Sequence, residues 1–443
     1  MFRQTVAQIC FDFFSRLPIV VEPKEVQVSS DTGILPIRQF DDQIGLTHRF
    51  IACLEDPRDP NLTDHSFAEM VRQRFYGIVA GYEDCNDHDT LRGDPVFKMV
   101  AGREPQENDL ASQPTLSRFE NAIDIPSLWR LHDFFIDEFI RSFQEAPLRI
   151  TLDLDATDDP CHGQQQLALF HGFFDQYQYF PLMISCAETQ QTLWAALRPG
   201  AVHAALGADD DLEYVVNRLR TAWPDVVIYV RGDAGFGMPW MYEVCERMEL
   251  MYTFGLSTNA VLKRATEGLL QRAVERFEQT RESTRLFDER GESENRHKEL
   301  KNGFAGDRLS CHRFLANYFR LQLHCAALNL LIQLRTVVAD PPALTTQEDH
   351  SPDRVPVADP TLPVEALTGQ ERRRYHTRRR RKDPLGKGHI ATWQMMLIKV
   401  AGQVTQSARR ILITIPAHWP HWSWFRHVCQ RIAELRCRAQ APT

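Results

Sequence analysis

Three short stretches carry carboxylates where chemistry could use them: "LDLDATDDP" (152–160), "RGDAGF" (231–236) and "GESEN" (291–295). Asp155 ends an apolar strand pattern, Asp233 ends a β-branched one, and Glu294 lies near the start of a long helical pattern. Three carboxylates converging on one spot repel one another unless cations sit among them. Mg²⁺ binds through a few carboxylates together with substrate phosphate oxygens. Two such ions about 4 Å apart can activate a water or a 3′-hydroxyl for in-line phosphoryl transfer and stabilise the leaving oxygen. Asp153 competes with Asp155, because strand alternation puts both on one face; a strand aspartate hydrogen-bonded nearby is its expected role. Asp158 and Asp159, ahead of Pro160, read as a turn. The glycines around Asp233 are expected to let a metal or nucleic acid approach.

The late helix adds a second clue. At about 100° per residue, Phe287, Arg290, Glu294 and Lys301 share one stripe, whereas Glu299 lies well around the helix from Glu294. A carboxylate flanked by Arg and Lys suits a surface that handles phosphates. Further basic residues cluster in "RRRYHTRRRRK" (372–382), where Arg378, Arg379, Arg380 and Arg381 are expected to contact a polyanion. Residues 371–443 hold 16 Lys/Arg against 3 Asp/Glu, a balance of +13; the net charge of −8 therefore leaves −21 for residues 1–370. An acidic body with a basic arm fits cation binding in one and nucleic acid on the other. His162 is expected either to contact DNA or water near the site or to play a structural part, and His312 and Arg313 to cap or pack. Trp419, Trp422 and Trp424 read as anchors of an interface.

These groups must be positioned by elements of two kinds. Residues 1–145 look mostly helical after an extended start, with helices over 66–82, capped by Asp64, and over 112–144, starting at Ser112 with Pro114 in the first turn. Thr115, Ser117 and Arg118 could there face DNA from a helix-turn-helix. From 146 the pattern becomes strands 148–156, 166–174 and 179–189, helix 211–224, strand 226–236, helix 239–250, strand 251–257, then helices over about 260–280 and 293–336. That order predicts a mixed α/β sheet with helices on its faces, of the ribonuclease-H-like kind, in which the first and fourth strands are neighbours. The domains expected are 1–145, helical and DNA-end binding; 146–336, catalytic; 337–370, a Pro-, Asp- and Thr-rich linker; and 371–443, basic, for DNA contact or dimerisation. In the last, a helix over 389–408 and a strand over 410–416 are expected.

Composition excludes other classes. Ten cysteines without a C-x-x-C pair argue against a zinc ribbon or disulfide framework and for reduced thiols in a cytoplasm. No run of about 20 apolar residues occurs, so no membrane span is expected; "FLANYFRLQLHCAALNLLIQL" (314–334) reads as a buried helix. The N-terminus makes a poor signal peptide.

The spacing Phe287-x2-Arg290-x3-Glu294-x6-Lys301 resembles the Tyr-x2-Arg-x3-Glu-x6-Lys signature of cut-and-paste DDE transposases from bacterial insertion sequences. "LDLDATDDPCHGQQQ", "RGDAGF" and "GESENRHKELKNGFAGDRLSCHRFLANYFRL" look like the group named for insertion sequence 1380; "GYEDCNDHDTLRGDPVF" and "SQPTLSRFE" fit too. The resemblance implies that Asp155, Asp233 and Glu294 are a metal-binding triad taking two Mg²⁺ ions, replaceable by Mn²⁺. It implies that Arg290 and Lys301 contact transposon-end phosphates, and that the protein works as a homodimer on double-stranded DNA in the bacterial nucleoid. Two departures stand out. Phe287 replaces the signature Tyr, and residues 258–293 read helical where relatives carry a strand-rich insertion. An internally shortened transposase that binds DNA ends without transposing is therefore the alternative expectation.

Overall fold

The computed structural model describes residues 9–11, 17, 19–256, 259–280, 291–339 and 389–439. Short strands β1 (Ile9–Phe11), β2 (Ile19–Val21) and β3 (Val28–Ser29) lead into helices α1 (Ile34–Ile44), α2 (Leu46–Ala52), α3 (Phe67–Val79), α4 (His88–Leu91), α5 (Pro95–Ala101), α6 (Gln113–Asn121) and α7 (Ile125–Arg141). The cap of α3 is Ser66 rather than Asp64: Ser66 is the extended residue next to the first turn, and its side chain accepts from Glu69 N at 3.1 Å. The helical pattern expected over 112–144 divides into two helices. Asp124 caps a fresh start by accepting from Ser127 N, and Pro126, lacking an N–H, suits the first turn of α7 but not a helix interior.

The main sheet holds β4 (Arg149–Ala156), β8 (Leu182–Cys186), β9 (Thr192–Ala196), β10 (Val227–Gly232) and β11 (Met251–Phe254), ordered β11-β10-β4-β8-β9. Strands β4, β10 and β11 run parallel, and β8 is antiparallel to both of its neighbours. Helices α8 (Ala208–Ala222) and α9 (Pro239–Arg247) make the crossovers to β10 and β11. The expected strand over 166–174 is not in this sheet. Its Leu169–His171 core forms β6, paired with β7 (Gln176–Tyr179), which also pairs with β5 (Asp159–Pro160). The sheet instead gains β9, whose "TLWAA" is buried throughout and so lacks the in–out alternation that marks a strand in sequence.

Helix α10 (Ala260–Thr280) precedes α11 (Gly291–Phe304), and α12 (Phe314–Val338) follows, so the helical stretch expected over 293–336 is broken at 305–313. Helix α12 is long and apolar enough to cross a membrane by composition, yet its apolar window is mostly buried in protein. It joins the two halves. Asn329 accepts from Thr192 N and donates to Thr192 O (2.9 and 2.8 Å), while Gln322 donates to Ala195 O at 2.6 Å. These amides satisfy the open edge of β9, which would otherwise invite further pairing. Elsewhere along α12, Arg320 shares Glu120 with Arg74, both at 2.7 Å, in a buried Arg–Glu–Arg group within the helical half.

The helix expected over 389–408 is short. Ile390–Trp393 passes into a π-turn over Gln394–Ile398, and β12 (Gly402–Ser407) then pairs with β13 (Arg410–Thr414) and β3. Gly402 lies so close to Thr32 that a Cβ would stand 2.6 Å from its Oγ1. A final helix, Trp422–Ala439, lays Val428 and Ile432 into the core shared with α1 and α12.

Candidate active site

Parallel pairing builds the site. The register of β4 with β10 sets Asp153 opposite Arg231, so Asp155 and Asp233 follow at the same, carboxyl end of adjacent strands. Both are half-buried, as groups at the rim of a sheet must be to meet a substrate. Asp153 takes the role expected of it. It is buried, and Arg231 Nε and Nη2 grip its two oxygens at 2.7 and 2.9 Å. This bidentate pair occupies the competing carboxylate and leaves Asp155, at the strand end, as the half-buried acid of β4.

Asp233 sits in extended conformation before a 3₁₀ turn, and its Oδ1 accepts from Gly235 N at 2.8 Å. The glycines beside it serve packing more than approach by a ligand. A Cβ at Gly235 would lie 2.8 Å from Ala204 Cβ and 2.9 Å from Asp233 Oδ1, and one at Gly232 would meet Phe236 and Phe254, each at 2.9 Å. Small residues here let the turn that orients Asp233 close.

Glu294 lies in the first turn of α11, where the backbone alone is described. Seven residues on, nearly two full turns, Lys301 occupies the same helical stripe. The Lys301 ammonium donates to Asp158 O at 2.5 Å and to Asp158 Oδ1 at 2.9 Å. The opening acidic stretch thus grips the signature helix three residues after Asp155. Burial alone would raise the Asp158 carboxyl, but hydrogen bonds and charge from Lys301, with Gln176 behind, bring it below the ordinary carboxylate value. Glu299 belongs to another face, as its angle requires, and meets Arg335 at 3.0 Å and His389 at 2.8 Å.

Asp159 is not a turn residue. It is in β5, buried, and neither carboxyl oxygen has a hydrogen-bond partner. Burial first, then the nearby charge of Asp307, pushes its pKa well above the ordinary carboxylate value. No sequence signal separates Asp159 from Asp158, which stand side by side with opposite fates. His162 is exposed; His312 O accepts from Gln166 N at 2.8 Å, and Arg313 is the N-cap of α12. Thr115 meets Ser112 and Arg118 through side chains at 3.2 Å. Trp424 packs on the buried Trp393, ring centres 5.3 Å apart. Phe287, Arg290 and Arg378–Arg381 lie outside the described residues.

Among the described residues no group of three His, Cys, Asp or Glu side chains gathers as a metal centre requires. Two carboxylates on adjacent strand ends, with a helix bearing Glu294 tethered beside them, are nevertheless the hard oxygen donors that Mg²⁺ or Mn²⁺ prefers. Eight of the ten cysteines have described side chains; these are free thiols, none of them in such a group. The family model described as transposase DDE domain, group 1, matches residues 11–288 and 283–351, most of the chain. No curated protein matches it.

Proposed function

Because the chain belongs to the DDE transposases, a family whose members act on DNA with divalent metal, we propose that it is the transposase of a bacterial insertion sequence of the 1380 group. In this reading it binds the element's terminal inverted repeats, cleaves the strands at the ends and joins them to target DNA, as a homodimer in the nucleoid. Asp155, Asp233 and Glu294 hold two Mg²⁺ ions, with Mn²⁺ as a substitute. When bound, the ions supply activation of the attacking hydroxyl and stabilisation of the leaving oxygen.

The single observation that carries this reading is the parallel pairing of β4 with β10, which sets Asp155 and Asp233 at one sheet end. The strand order, with β8 alone reversed, is the arrangement expected of a ribonuclease-H-like domain and supports the same assignment. The rest of the machinery orients. Arg231 holds Asp153 out of the donor set, Gly235 N fixes Asp233, and the Asp158–Lys301 pair anchors α11 beside the end of β4. Arg290 and Lys301 contact end phosphates, which requires DNA to share or displace Asp158 at the lysine. Arg378–Arg381 add non-specific phosphate contact. A duplex carrying the element's end should be nicked at the end in Mg²⁺ by the native protein and left intact by Asp233→Ala.

One observation favours a second reading. Between β11 and α11, where relatives carry strands, the described residues form the exposed helix α10. A transposase shortened there would bind ends and form idle complexes; equal binding without nicking by native protein and Asp233→Ala would establish it.

A further inference from the structure

Residues 157–181 leave the sheet at the carboxyl end of β4 and return at the start of β8, the end where Asp155 and Asp233 lie. The excursion is an ordered ribbon. β5 pairs with β7, β7 with β6, and Cys161 N donates to Tyr177 O at 2.9 Å, so the β4–β8 ladder continues outward past the candidate active site. Its turn is closed by Asp175 N donating to His171 O at 2.9 Å, with Asp175 in the left-handed region at φ 54°.

The ribbon displays rings to solvent. Phe170, Phe173 and Tyr177 are 48%, 84% and 60% exposed. Phe170 and Tyr177 face each other across the strands with ring centres 5.6 Å apart, and Phe173 extends beyond them at the turn. Phe174 holds the base of the turn against His171 and Phe180. From Cys161 to Tyr179 the one charged side chain is Asp175, in a protein that is 25% charged, while Gln164, Gln165, Gln166, Gln176 and Gln178 supply amides. A surface without Lys or Arg does not grip phosphates. Flat rings interleaved with amides match the faces and edges of bases, and a narrow projecting tip suits a gap in a stack better than a broad protein interface.

We propose that the ribbon Leu169–Tyr179 stacks on unpaired or unstacked DNA bases beside the strand being cut, with Phe173 at its tip and Phe170 and Tyr177 on its face. The proposal rests on the DNA-cleaving reading of Asp155 and Asp233 and names the part of the substrate that this sheet end recognises.

The test uses the full chain in Ca²⁺, with two duplexes of equal sequence, one intact and one with a three-nucleotide gap holding 2-aminopurine. The native protein should bind the gapped duplex about tenfold more tightly, the scale of one base–aromatic stack, and quench the probe. Phe170→Ala/Phe173→Ala should lose both the preference and the quenching while binding the intact duplex as before. Phe173→Trp should keep both, as should Leu62→Ala, a control at an exposed apolar residue elsewhere. The inference is overturned if the double variant keeps the preference or weakens on both duplexes alike. A changed molecular mass in solution with DNA binding unaltered would overturn it too, making the ribbon a protein interface. Asp155→Ala should retain the gap preference; if it also nicks DNA as the native protein does, the catalytic reading fails while the ribbon result stands.

Discussion

At the scale of single residues, four aspartates within seven positions have four different fates, decided by what each meets. Asp153 is neutralised by Arg231, Asp155 stays at the rim, Asp158 holds Lys301, and Asp159 is buried without a partner. Alternation along β4 was enough to put Asp153 and Asp155 on one face, but the identity of the partner across the strand was not, because it depends on the β4–β10 register. Arg231→Met should destabilise the fold by about 3–5 kcal/mol, the cost of a buried charge left unpaired, measured by chemical denaturation. Asp159 gives the opposite sign. Its folded pKa is raised above the unfolded value, so it opposes folding increasingly as pH rises from the ordinary carboxylate range toward the folded pKa. Asp159→Asn should therefore raise the melting temperature at pH 8, and the gain should vanish near pH 3.

At the scale of elements, what sequence reveals is periodicity, and what it hides is partnership. Helices α3, α8 and α9 and strands β4, β10 and β11 follow from their own patterns, with ends shifted by caps such as Ser66 and Asp124. The strand expected over 166–174 and the buried β9 show this from opposite sides: the exposed ribbon segment is as apolar as a core strand, and the core strand is short and unpatterned. The end of the chain shows the same limit, since Gly402–Ser407 becomes a strand through β3 and β13 rather than through its own pattern. Helix α11 is weakly amphipathic and is held by named contacts: Lys301 on Asp158, Glu299 on Arg335, and Leu300 and Phe304 in the core. Asp158→Asn should leave the chain folded but speed hydrogen exchange over residues 298–304 and slow nicking severalfold. Unchanged exchange there would show that apolar contacts alone position the helix.

At the scale of the whole molecule, the helical half and the sheet are joined by α12, whose amides close the β9 edge and whose Arg320 completes the group with Arg74 and Glu120. Burial works to raise Glu120, but the two guanidiniums outweigh it and hold its pKa well below the usual carboxylate range. The sign follows from that depression. The stabilisation is present above the unfolded pKa and is lost as pH falls through the folded one. Acid should thus unfold the helical half, and Glu120→Gln should remove several kcal/mol at pH 7, because two buried arginines lose their shared anion. Circular dichroism against pH, with and without the substitution, reads both effects. None of this was legible beforehand: residues 74, 120 and 320 are far apart in sequence and each reads alone as a polar helix residue.

The central claim is that Asp155 and Asp233 form one metal-dependent nucleolytic site. Its most direct test is strand nicking on a labelled duplex bearing the element's end, in Mg²⁺ and in Mn²⁺, by the native protein, Asp155→Ala and Asp233→Ala. Nicking at the end that either substitution abolishes, with DNA binding retained, is the predicted result. Cleavage that survives both substitutions, or tight binding with no cleavage by any of the three proteins, would contradict it.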